Sequence, residues 1–233
     1  MIKVIQYENL GGANHGWLKA KHHFSFASYQ DPNRVRFGPM RVVNDDIVAP
    51  KKGFDPHAHD NMEIITYVRK GAITHKDDMG NEGRTEAGDV QVMSAGTGVV
   101  HSEYNLENED TNLYQIWMFP NKKNVKPRWD AKQFPKKPVE GKLKPLVTSF
   151  ENKSDDTLKI YQDVAIYAGR VNKGKNVKQS IDRDQAYVLC SQGKIKINDT
   201  EIKKGDGAEI TDLKNVNITS LEDSEILFID LPR

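Results

Sequence analysis

The stretch MEIITYVRKGAITHKDD (Met62–Asp78), followed by EAGDVQVMSAG (Glu86–Gly96), sets out the fold in outline, because a similar pattern returns as AYVLCSQGKIKINDTE (Ala186–Glu201) and KKGDGAEIT (Lys203–Thr211). Each copy reads as an apolar strand, a glycine turn, an alternating strand and a Gly-Asp turn into a further strand. The two copies agree in pattern more than in identity, which suggests a duplicated β-unit. Apolar runs rich in β-branched and aromatic residues mark strands at Ile64–Val68, Val90–Met93, Leu113–Phe119, Tyr187–Cys190 and Ile226–Ile229. Turn signals such as Met79–Gly83 and Ser191–Gly193 fall between them. Long helical periodicity is scarce, so an all-β chain of sandwiches or barrels is predicted.

With 233 residues the chain has room for two cores. Between Asn121 and Pro145 the composition shifts to nine basic residues and four prolines, and proline cannot donate to the ladder of a central strand. The expected division is a first domain over 1–125, a linker over 126–145 and a second domain over 146–233. The basic linker reads as a solvated segment pinned by Trp129 and Phe134 rather than as a nucleic-acid patch. Lys plus Arg number 34 against 33 Asp plus Glu, leaving a net charge of +1 and no general field for nucleic acid or anionic lipid. No N-terminal run suits a signal peptide and no stretch approaches the roughly 20 apolar residues of a membrane span, so a cytoplasmic location is expected. The single cysteine, Cys190, rules out an internal disulfide and a thiolate cluster; in its apolar strand it reads as an inert buried thiol. A metal ion would have to be held by histidine and carboxylate.

All seven histidines (His15, His22, His23, His57, His59, His75 and His101) lie at or before position 101, so only the first copy can build an imidazole site. Two motifs stand out: His57-Ala58-His59 and His101-Ser102-Glu103. On a strand, ligand-type side chains at i and i+2 share a face. Two such strands on opposite walls of a barrel would bring three neutral imidazoles and one carboxylate onto one divalent ion, with positions left open for water, oxygen or substrate. A lone histidine is more often a surface or satisfied core residue, and each pair alone is weak evidence. The neighbouring glycines, Gly71, Gly88 and Gly96, add weight by marking the corners that would aim these strands. Glu63, four residues after His59, could by strand parity share the face of His57 and His59, so the residues leave two candidate carboxylates. His75 reads as a hydrogen-bonded structural residue. His22 and His23, beside Phe24 and Phe26, read as part of a strand packed on the barrel, and Met62, Met93 and Met118 as core or pocket lining.

The segments HGWLKAKHHFSFASY (His15–Tyr29), FGPMRVVNDDIVAPKKGFDPHAHDNMEIITYV (Phe37–Val68), GDVQVMSAGTGVVHSEYN (Gly88–Asn105) and LYQIWMFP (Leu113–Pro120) resemble the pirin family of the cupin superfamily, and they span nearly the whole first half. The second half is similar only through its degenerate cupin pattern. The resemblance implies two cupin barrels of the double-stranded β-helix or jelly-roll type, packed together, with metal in the N-terminal one alone. It places the ligands at His57, His59, His101 and Glu103, and leaves Glu63 as a residue behind the ligands or facing the substrate. It implies iron(II) first, with copper, nickel, manganese, cobalt or zinc as alternatives.

The activity implied is that of a quercetin (flavonol) 2,3-dioxygenase, with a small aromatic substrate such as a flavonol and dioxygen as partners. In that chemistry the ion lowers the pKa of the substrate's 3-hydroxyl and Glu103, or Glu63 if it points inward, takes the proton. The resemblance equally allows a non-catalytic, metal-dependent redox sensor or transcriptional co-regulator acting through a protein partner. Neither membrane nor direct nucleic-acid binding is expected.

Overall fold

The computed structural model describes all 233 residues and contains twenty-two strands and a single 3-10 turn at Tyr7–Asn9. The strands in chain order begin with β1 (Ile2–Ile5), β2 (Gly11–Asn14), β3 (Leu18–His22), β4 (Met40–Val48), β5 (Gly53–His59) and β6 (Glu63–Lys70). There follow β7 (Ala72–Asp77), β8 (Glu82–Glu86), β9 (Val90–Ser94), β10 (Val99–Tyr104), β11 (Thr111–Met118) and β12 (Arg128–Lys132). The second half carries β13 (Lys144–Ser149), β14 (Leu158–Ile160), β15 (Ala165–Val171), β16 (Asn176–Ser180) and β17 (Gln185–Gln192). It closes with β18 (Lys194–Ile197), β19 (Thr200–Lys203), β20 (Gly207–Thr211), β21 (Asn215–Ser220) and β22 (Ser224–Leu231). The runs picked out in the sequence all lie in strands, apart from Phe119, which falls just beyond β11.

The chain divides into two compact units, one of residues 11–135 and 153–162, the other of residues 1–10, 136–152 and 163–233. The N-terminal unit is built from a seven-stranded sheet, β12-β9-β6-β11-β4-β3-β2, and a four-stranded sheet, β5-β10-β7-β8. The C-terminal unit repeats this plan. Its large sheet runs β1-β20-β17-β22-β15-β13 and its small sheet β16-β21-β18-β19. Within each unit the paired strands run antiparallel, and each unit is a jelly-roll barrel.

This division differs from the contiguous one expected. β1 pairs with β20, Ile2 opposite Ile210 and Val4 opposite Ala208, so the first ten residues belong to the second unit. The expected linker is split: Arg128–Lys132 is not loop but the edge strand β12, pairing with β9, where basic side chains suit an exposed edge.

Corresponding glycines turn the chain in both units. Gly71 (φ 72°), between β6 and β7, and Gly193 (φ 76°), between β17 and β18, hold the left-handed conformation that glycine adopts without cost. A Cβ would stand 2.7 Å from Thr111 Oγ1 at Gly71 and 2.4 Å from the Asp223 carbonyl at Gly193. The C-terminal lumen is filled by a continuous apolar cluster that includes Val188, Cys190, Ile195, Ile197, Ile218 and Phe228, each fully buried. In the N-terminal unit the buried strands carry polar residues at alternate inward positions, Asn44 and Asp46 on β4 and Gln115 on β11 among them, and a cavity opens there.

Candidate metal centre

His57 and His59 stand on β5 and His101 on β10, and these strands are hydrogen-bonded neighbours, with His101 opposite His57 and Val99 opposite His59. The imidazoles therefore do not converge from opposite walls, as the sequence suggested. They meet as a cross-strand group on one sheet, where directly opposite residues bring their Cβ atoms within about 5 Å. The register slips between His101 and Glu103, Asp55 and Pro56 lying against Ser102 alone. Proline is tolerated at such a bulge because the ladder there needs no donor, and a bulge re-aims the side chain beside it.

One ligand-type nitrogen from each of His57, His59 and His101 lies within 4.8 Å of the others. The ring centroids are 4.5 Å apart for His57 and His101, 4.9 Å for His57 and His59, and 5.1 Å for His59 and His101. His57 Nδ1 lies 2.7 Å from the Asp55 carbonyl oxygen; that oxygen can only accept, so Nδ1 carries the proton and Nε2 holds the lone pair. The Nε2 atoms of His59 and His101 are buried without a hydrogen-bond partner. Burial and the neighbouring His57 push His59 down to about 4, and burial with His57, His59 and His75 pushes His101 down to about 3. Both rings are neutral at pH 7, as a metal ligand must be. Buried imidazole nitrogens left unpaired are costly in a protein interior, and these two, with the His57 imidazole beside them on the same sheet, fit a divalent ion.

Glu103 lies at the next inward position of β10 and is buried. Its carboxylate is not one of the three-nitrogen group; it crosses the lumen to the large sheet. There Oε1 accepts from Gln91 Nε2 at 2.6 Å and from Thr66 Oγ1 at 3.2 Å, and Oε2 accepts from Gln115 Nε2. Burial lifts the Glu103 carboxyl to about 7 against the pull of these donors.

Glu63 is placed differently. It is buried, lifted by burial to about 7, and its Oε2 accepts from Ser94 Oγ at 2.8 Å and the Tyr161 backbone N–H at 3.2 Å. It does not line the cavity, and its strand neighbour Ile64 does. The turn between β5 and β6, with Asn61 at φ 42°, breaks the phase of strand alternation, so parity counted from His59 does not carry to Glu63.

The cavity has a volume of about 690 Å³, within the range of small-molecule sites. The three imidazoles and Glu103 line one side, while Trp17, Phe26, Phe54 and Trp117 supply flat apolar walls. Trp117 meets His59 edge-on at 4.9 Å and Phe26 at 5.5 Å.

Several lining residues were given no site role from sequence. His22 and Asn44 line the cavity and bond to each other at 2.8 Å. Asp46 also lines it, fully buried, with Oδ1 unpartnered and its pKa raised by burial and by Asp45 and Glu103. Their signal was in VNDDIV, where three consecutive polar residues, Asn44, Asp45 and Asp46, interrupt an apolar run and so place two of them, Asn44 and Asp46, on one face of the strand. Met62, Met93 and Met118 do not reach the cavity; Met93 and Met118 are buried core and Met62 packs beside Met93. No helix is long and apolar enough to cross a membrane.

Comparison with known proteins agrees with this architecture. A family model described as Pirin matches residues 4–118, and one described as Quercetinase C-terminal cupin domain matches residues 146–231. A pirin-like protein of Caulobacter vibrioides is 48% identical, the alignment covering 99% of each chain. A quercetin 2,3-dioxygenase of Escherichia coli K12 is 40% identical over 100% of this chain and 99% of its own. The crystal structure of the bacterial pirin YhhW from Escherichia coli, in complex with nickel(II), superposes with a TM-score of 0.92 at 37% identity, covering 100% of this chain and 99% of that one.

Proposed function

The chain belongs to the pirin family, and from that premise we propose that it is a metal-dependent dioxygenase of the flavonol 2,3-dioxygenase type, acting in the N-terminal lumen. The observation that carries the reading is the trio of imidazoles, two with buried, unpartnered Nε2 atoms, opening into an aromatic-walled cavity.

In this reading His57, His59 and His101 hold one divalent ion and Glu103 supplies the carboxylate. Iron(II) remains the ion that the family resemblance implies, and nickel is supported by the relative crystallised with it. When bound, such an ion supplies Lewis acidity that lowers the pKa of a coordinated hydroxyl. The protein does the rest. Trp17, Phe54 and Trp117 grip planar rings, exclude water and set the substrate's hydroxyl toward the imidazoles. Glu103 receives the hydroxyl proton, and Gln91, Gln115 and Thr66 hold its carboxyl in place through the transfer. The electron-rich enolate that results reacts with dioxygen, and the central ring opens with loss of carbon monoxide. Glu63, turned away from the cavity, has no part in this.

Oxygen uptake with quercetin tests the reading directly. Protein loaded with iron(II), nickel or copper is expected to consume dioxygen and release carbon monoxide, and His57→Ala to abolish both. Metal-loaded protein that turns over quercetin with none of these ions would overturn the flavonol assignment.

A further inference from the structure

We propose that His75 and Asp77 are positioning residues for the metal centre, fixing His101 in the one tautomer and ring orientation that turn its Nε2 toward the ion. The inference rests on the metal reading above, and concerns two residues outside the ligand set.

β7 lies beside β10, with Asp77 opposite His101 and His75 opposite Glu103. His75 is buried, its Nε2 3.0 Å from Asp77 Oδ2 and its Nδ1 3.4 Å from His101 Nδ1. Asp77 is itself held by donors alone: Oδ1 accepts from the backbone N–H of Met79 at 3.0 Å and of Asn81 at 2.9 Å, and Oδ2 accepts from Asn81 Nδ2 at 2.9 Å.

The proton positions follow in sequence. A carboxylate can only accept, so His75 carries its proton on Nε2. A neutral His75 then offers a lone pair at Nδ1, which accepts from His101 Nδ1–H. His101, protonated at Nδ1, is left with its lone pair at Nε2, the atom buried without a partner beside the other two imidazoles. The reverse arrangement would need a buried imidazolium at His75 and would aim an N–H of His101 at the ion, which costs charge burial and a ligand together.

The His75 ring is also fixed in rotation. Trp129, from β12, stacks on it at 4.9 Å with the planes 8° apart. Gly83 stands opposite His75 across β8, and a Cβ there would come 2.3 Å from Trp129 Cη2, so the indole takes its place only because that residue is glycine.

The test compares wild type with His75→Leu and His75→Gln, using nickel(II) as the probe and reading two quantities. The first is nickel affinity by competition with a chromophoric chelator. The second is the His101 tautomer in metal-free protein, from the 15N shifts of its ring. Leucine removes the acceptor, so nickel binding is expected to weaken about 10- to 100-fold and the His101 proton to divide between its nitrogens. Glutamine can accept from His101 through Oε1 and donate to Asp77 through its amide, so affinity is expected to stay within about threefold of wild type, with the tautomer retained. Tight nickel binding by wild type and an unchanged affinity in His75→Leu overturns this inference and leaves the metal reading intact. Wild type that binds no nickel overturns both. Should His75→Leu fail to fold, the wild-type spectrum decides alone: a proton on His101 Nε2 overturns the proposal.

Discussion

In the N-terminal barrel the pairing register sets His57 opposite His101 and His75 opposite Glu103; in the C-terminal barrel the corresponding pairs are Gln179 with Val216 and Ile197 with Ile218. The strand plan around them is the same, and so is the glycine turn that leads into β7 and β18. One lumen holds a cavity of about 690 Å³ and the other is closed by isoleucine, valine and phenylalanine. The difference teaches that the fold is set by alternation and turns, while the site is set by what occupies a few inward positions. Branched aliphatic groups close on one another and gain contacts. Imidazoles and a carboxylate do not, and they line a space beside which two buried Nε2 atoms have no partner within the protein. On the proposed reading, function is held by one copy of the repeated plan, and the other is free to be packed for stability.

The comparison breaks most readily at Ile218, the counterpart of Glu103. Ile218→Glu places a carboxylate in a lumen with no Gln91, Gln115 or Thr66 to hold it, and is expected to cost about 5 kcal/mol at pH 7, measured by urea denaturation. A loss below about 2 kcal/mol would show that the closed lumen can house a charge after all.

The next effect sharpens the contrast through a matched pair. His101→Ala is expected to lower nickel affinity about 1,000-fold, exceeding what a change behind the ligands would do. Its metal-free stability should stay within about 1 kcal/mol of wild type, because an unsatisfied group leaves with the ring. Val216→Ala at the equivalent position should do the opposite, lowering stability by about 2 kcal/mol and leaving nickel affinity unchanged. Calorimetric titration and thermal unfolding on both variants separate the two roles, and a shared loss of metal binding would mean the barrels do not divide the work.

Much of this was legible in the sequence because strand alternation is a local rule. It showed that His57 goes with His59 and His101 with Glu103, and that the second half carries the same pattern without imidazoles. Relations between strands were less accessible. Alternation within β5 and β10 does not say whether they face one another or lie side by side, and they lie side by side. Nor can parity be carried through a turn, so counting from His59 leaves Glu63 open as a second candidate carboxylate, although it does not line the cavity. β1 pairs with β20, some two hundred residues on, and four apolar-patterned residues give no sign of a partner so distant. Asn44 and Asp46 could have been found by asking why three consecutive polar residues, Asn44 to Asp46, interrupt an apolar strand, since one parity must then face inward.

The smallest effect concerns the carboxylate that the N-terminal barrel buries outside its lumen. Burial lifts Glu63 to about 7 from an ordinary value of 4.5. Below pH 4.5 the folded and unfolded chains both carry it protonated. Between 4.5 and about 7 the unfolded chain ionises while the folded one retains its proton, so stability from this group falls as pH rises across that window and is lost above it. Glu63→Gln keeps an oxygen for Ser94 and the Tyr161 N–H and removes the ionisation. Its stability relative to wild type should therefore climb by about 3 kcal/mol from pH 4.5 to pH 8, followed by denaturant unfolding at each pH. Oxygen uptake with quercetin should be unchanged, since Glu63 does not face the cavity. Equal pH slopes for the two proteins would mean that Glu63 ionises freely in the fold, and a fall in turnover would return it to the site.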